Sequence, residues 1–215
     1  MSMAVATGAR AALTVARRYH GPPDSGNGGY VAGRLAAHIA GPAEITLRAP
    51  VPLDRPLDLR ESDGALLLSD EGRAIAQARP AAGFQLDVPA LPGWPAALAC
   101  SRHGGSDVDS DFHDCFVCGR GRQSGEGLRV LAGRLPGHDG RPGMALAAWQ
   151  THPAFAGPDA RIGPEYLWCA LDCPGAAAVL GEDDPRIVLT GRMTAVVEHL
   201  PVAGEACVVA GWALG

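Results

Sequence analysis

The chain contains no lysine: all 18 of its cationic side chains are arginine. With heavy use of alanine, glycine and proline, this points to a GC-rich, bacterial coding sequence and not to any function. The arginines are scattered and the formal net charge is −5. No basic stripe is present, which argues against a nucleic-acid partner. Long apolar runs are missing as well. No stretch of about 18 uncharged apolar residues occurs, so no segment reads as a membrane span. Arg10 interrupts the Ala-rich start "MSMAVATGARAALTVARRYH", so no secretory signal is read there, and a cytoplasmic protein is expected. Without a signal, the six cysteines read as reduced thiols rather than as a disulfide framework.

What is there suits a globular chain. Apolar residues make up 47% and charged residues 19% of 215, enough for one large domain or two small ones. Setting Pro52 on Pro201 aligns "ITLRAPVPLDRPLDLRESDG" (45–64) with "TAVVEHLPVAGEACVVAGWA" (194–213). Each is an apolar run, a proline-marked turn and a second run, the pattern of a β-hairpin. A helix-like segment precedes each: 28–40, and "PEYLWCALDCPGAAAVL" at 164–180, with Tyr30 matching Tyr166 and Leu35 matching Leu171. Further strands are expected at 12–19, 67–80, 127–135 and 144–150. The Pro-, Gly-, Ser- and Asp-rich stretch 81–126 reads as a surface linker. The predicted organisation is α+β: a first unit 1–80, the linker 81–126, and a second unit 127–215, each with a helix against an antiparallel sheet. The second unit has no counterpart of the run 67–80. The expectation is either a shortened chain or, if the chain is complete, a second sheet ending in an exposed edge at 207–215 that is covered by another subunit or frayed.

Three motifs carry a resemblance: "YHGPPDSGNGGYVAG" near the start, "CFVCG…GEGL" at 115–128, and "PEYLWCALDCPG" at 164–175. They resemble bacterial thioesterase-like proteins of the double hotdog superfamily, in which two units, each a helix wrapped by an antiparallel sheet, pair face to face. The resemblance spans nearly the whole chain. It implies an acyl-CoA or related acyl thioester as ligand, hydrolysed or merely bound, no cofactor, and association of copies through sheet edges.

The glycines before the first helix bear on that chemistry. A helix N-terminus presents unpaired N–H groups and about half a positive charge, and glycine lets a ligand oxygen approach them. Gly28 and Gly29, with Asn27 as polar partner, are the expected oxyanion hole for a thioester carbonyl. The plainer alternative is a cap and tight turn built on Ser25 or Asn27. The second helix supplies what the first lacks: Glu165 and Asp172 stand where the first has Gly29 and Ala36. Seven residues apart, they share a face. Asp172, among Leu171, Trp168 and Val179, is expected to be partly buried and to act as general base, with Glu165 the second candidate. Their alternatives are an acid at a helix start, for Glu165, and a polar support for the Pro174 bend, for Asp172. Tyr30, Trp168 and His20 complete the expected substrate contacts. A hydratase of the same fold would carry an Asp and a His five residues apart, but Asp24 is followed at that spacing by Gly29.

Cys100, His103, Cys115 and Cys118 have zinc-like spacing, two pairs each two apart. Because Cys100 and His103 fall in the linker, buried thiols acting as small hydrophobes are the favoured reading, and no metal is expected.

Overall fold

Strand pairing starts from two short turns. Asp63–Gly64 and Glu71–Gly72 all have positive φ (52°, 69°, 48° and 85°), the left-handed geometry that two-residue hairpin loops demand. They connect β3 (Pro56–Ser62), β4 (Ala65–Asp70) and β5 (Arg73–Pro80) into an antiparallel meander. The structure, a computed structural model, describes residues 11–107, 109–135, 143–180 and 186–214.

Around that meander β1 (Ala11–Thr14) pairs with β3, and β2 (Ala43–Leu47) pairs with β5. The sixth strand comes from the far end of the chain: β8 (Arg192–Ala195) pairs antiparallel with β2, Ala43 opposite Ala195. The order is β1-β3-β4-β5-β2-β8. A second antiparallel sheet, β6-β7-β9, is built from Gly133–Arg134, Ala145–Gln150 and Ala206–Gly211. Strand β9 pairs only with β7 among the described residues, and so stands at an edge.

Two of the expected hairpins do not form. Strands β2 and β3 are separated by two others in the sheet, and β8 and β9 belong to different sheets. In both places the proline-marked segment is a crossover, not a tight turn. Proline restricts the residue before it to extended backbone and donates no ladder bond, so it suits a crossover as well as a turn. The likeness of the two segments survives this correction. Each leads from a strand that follows a helix to a strand elsewhere.

Helix α1 (Gly28–Ala36) stops short of the expected 28–40, and the long helix α3 (Pro164–Val179) matches its expected span closely. An additional helix, α2 (Trp94–His103), rises from the segment read as linker, with Pro95 in its first turn where proline is tolerated. Ala97 and Cys100 of α2 pack on Leu146 of β7 in a small satellite core. The expected strand 127–135 shrinks to Gly133–Arg134.

The main core holds Tyr30, Val31 and Leu35 of α1, inward residues of the large sheet such as Ile45, Leu57 and Leu68, and Trp168 and Cys169 of α3. Helices α1 and α3 cross in opposite directions and almost touch. A Cβ on Gly29 would lie 2.7 Å from the Trp168 carbonyl oxygen, and one on Gly33 2.5 Å from Glu165 Cα. No real side chain tolerates such distances. Glycine at 29 and 33 is therefore required by α3 itself, a role the sequence reading did not give Gly29.

Candidate active site

The crossing delivers the middle of α3 to the start of α1. Asn27 caps α1, its Oδ1 accepting from the Tyr30 N–H at 2.9 Å, and its amide Nδ2 donates to Asp172 Oδ2 at 3.2 Å. The Gly29 N–H donates to the same Oδ2 at 2.9 Å. The Thr190 hydroxyl, just ahead of β8, donates to Asp172 Oδ1. One carboxylate thus accepts three hydrogen bonds from two segments distant from it or from each other in sequence, the start of α1 and Thr190. A carboxylate offers about four acceptor positions, so one remains on the Oδ1 side.

Burial pushes the Asp172 carboxyl above its ordinary range, and the hydrogen bonds from Thr190, Gly29 and Asn27 oppose the shift. Residue 28 lies within the same cluster. A Cβ placed on Gly28 would be 3.0 Å from Thr190 Cβ and 3.4 Å from Asp172 Oδ2. Among the described residues the Gly28 N–H has no hydrogen-bond partner, as expected for the first residue of a helix.

Asn27, Gly28, Asp172 and Thr190 line a cleft of about 1120 Å³. This is at the upper end of small-molecule sites, which run to roughly 1,000 Å³. Its walls are largely apolar: Leu47, Val51 and Met193 stand with Leu171, Ile187 and Leu189, and the last three are exposed. Arg48, Arg186 and Arg192 also line it.

The residues singled out from the sequence divide sharply. Asn27, Gly28 and Asp172 reach the cleft, while the N–H of Gly29 is held by Asp172. Glu165 does not join Asp172. Its backbone lies against Gly33 and its carboxylate beside Gly163 at the start of α3. Tyr30 is 4% exposed, stacked on Tyr19 with ring centroids 4.0 Å apart, and its hydroxyl accepts from Arg34 at 3.0 Å. Trp168 is buried beneath Gly29. His20 turns its Nδ1 toward the Gly21 carbonyl oxygen at 3.2 Å, and none of His20, Tyr30, Glu165 and Trp168 lines the cleft.

Thr190 escaped the sequence reading. It sits in "RIVLTGR" with no motif around it, and only the fold brings it to Asp172. The four-ligand zinc spacing is not assembled either: Cys100 packs on β7 from α2, while Cys115 and Cys118 meet Cys173 of α3.

No family model matches the chain, and no curated protein does. Among solved structures it is similar to a protein of Thermobifida fusca YX provisionally described as a thioesterase II, with a TM-score of 0.51 and 18% identity. The match covers 94% of this chain and 78% of that one. At this identity the likeness is one of fold.

Proposed function

We propose that the protein hydrolyses acyl thioesters of the acyl-CoA type, with Asp172 as general base and the Gly28 N–H as oxyanion donor. In this reading the chain is a double hotdog: a first unit 1–80 carrying α1, the linker 81–126, and a second unit 127–215 carrying α3. The observation that carries it is the placement, on one apolar cleft, of a half-buried carboxylate and a helix-terminal N–H without a partner among the described residues. The solved thioesterase-described neighbour of similar fold adds weight.

The chemistry follows from that placement. The thioester carbonyl oxygen accepts from the Gly28 N–H, where the helix dipole favours the negative charge that grows there. A water held at the remaining acceptor position of Asp172 gives up its proton and attacks the carbonyl carbon. The tetrahedral intermediate collapses, the C–S bond breaks, and the thiolate leaves and takes up a proton, giving an acid and a free thiol. Asn27 and Thr190 are positioning residues that hold the carboxylate. The apolar walls accept an acyl chain, and Arg48, Arg186 and Arg192 are suited to the phosphates of a CoA-type carrier.

A second reading is a binding protein that holds the acyl thioester without turnover. It is favoured by the three hydrogen bonds on Asp172, a pattern that also serves a purely structural acid. A panel of acyl-CoA substrates of graded chain length, with detection of free thiol, separates the two. Catalytic release of thiol is expected. Saturable binding with no release would establish the binding protein instead.

A further inference from the structure

Three thiols meet on the wall of the same cleft and take no part in the chemistry above. Cys115 and Cys118 come from the turn at 112–119, and Cys173 comes from α3, next to Asp172. Their sulfur atoms all lie within 4.8 Å of one another, and all three residues line the cleft. Cys115 is buried at 2% exposure, whereas Cys118 and Cys173 are half-buried.

We propose that Cys115, Cys118 and Cys173 form a three-thiolate site for a thiophilic divalent cation, Zn²⁺, whose fourth position opens on the cleft. The dimensions suit it. With Zn–S bonds of about 2.3 Å, tetrahedral ligand sulfurs stand roughly 3.8 Å apart, so the cluster needs to tighten by no more than about 1 Å. The ligand type suits it too, because thiolates select soft and borderline ions over the hard oxygen-seeking ones.

The spacing of the first two ligands, Cys115-x-x-Cys118, is that of half a zinc site. The Ser106 hydroxyl lies 3.5 Å from the Cys118 sulfur, an outer-shell contact of the kind that orients ligands. The fourth position would take water or an anion from the cleft.

The test is equilibrium dialysis of the reduced full-length chain against Zn²⁺, with Co²⁺ as spectroscopic probe and thiol counting by mass. One equivalent per chain is expected, with thiolate-to-cobalt charge-transfer absorption and the intense d–d bands of tetrahedral cobalt. C173S should weaken binding by more than ~100-fold, beyond the range usual for outer-shell changes, and S106A by about 10-fold. C207S, on β9 outside the cluster, should leave it unchanged. C118S repeats the test at a half-buried position should C173S not fold. Failure to bind either ion, binding undiminished in C173S and C118S, or closure of a Cys115–Cys118 disulfide in place of metal uptake would overturn the proposal. None of these readouts depends on turnover, so the site stands or falls apart from the proposed hydrolysis.

Discussion

The starts of α1 and α3 can be aligned residue for residue, and they differ in chemistry. With Tyr30 set on Tyr166, Gly28 corresponds to Pro164, Asn27 to Gly163 and Ala36 to Asp172. The crossing respects this equivalence: Gly29 lies against Cys169 and Asp172, and Gly33 against Glu165. At the start of α1 there is a side-chain cap, a free N–H among the described residues, and a facing acid. At the start of α3 the cap has no side chain, the first residue is a proline without an N–H, and the facing position is alanine. Glu165 sits where the other end has glycine. One end has the groups that could polarise a carbonyl, and the other has none of them. The polar groups are thus concentrated at one helix start, and the other is left to packing.

Four changes test this asymmetry. Asp172→Asn should have the largest effect, lowering kcat for thiol release by about 10²- to 10⁴-fold, the usual contribution of a general base. The circular dichroism spectrum should stay unchanged, and equal turnover would remove Asp172 from the mechanism. Next comes the crossing itself. Gly33→Ala forces a Cβ to 2.5 Å from the Glu165 backbone. It should cost about 3 kcal/mol, near the top of the range for overpacking, and lower Tm by roughly 6–12 °C. A melting curve within a degree of the parent would mean that the helices are farther apart than described. Asn27→Ala removes the α1 cap and should destabilise by about 1 kcal/mol in urea titration. The same variant should lose turnover beyond its stability loss, because Asn27 also donates to Asp172. The smallest effect is at the silent end: Gly163→Ser gives α3 the side-chain cap it lacks. It should stabilise by a few tenths of a kcal/mol with no change in kcat.

Much of the secondary structure could be read from residues alone, because local rules govern it. The apolar run expected as strand over 67–80 became β4 and β5, and helical spacing from Tyr30 and through 164–180 located α1 and α3. Pairing was less legible. Whether a proline-marked segment is a turn or a crossover depends on where the sheet has room, which no local window contains. Helix α2 was hidden because its flanking Pro and Gly residues look like a loop, and its hold comes from packing on β7. At the site, Asp172 and the Asn27–Gly28 end announced themselves by chemistry against a helix pattern. Glu165 and Tyr30 announced themselves equally well and lie elsewhere, since face and depth on a helix are settled by the partner it crosses. Thr190 and the joining of Cys173 to Cys115 and Cys118 arise wholly from tertiary contact.

The pairing of β2 with β8 has a consequence for synthesis. Five strands of the large sheet are complete by residue 80, but the partner for the free side of β2 ends at Ala195. At translation rates of roughly 5–20 residues per second, the ladder groups of Ala43–Leu47 wait on the order of 10 s before β8 exists. During that interval the nascent chain displays an unpaired edge, open to any extended segment that reaches it first.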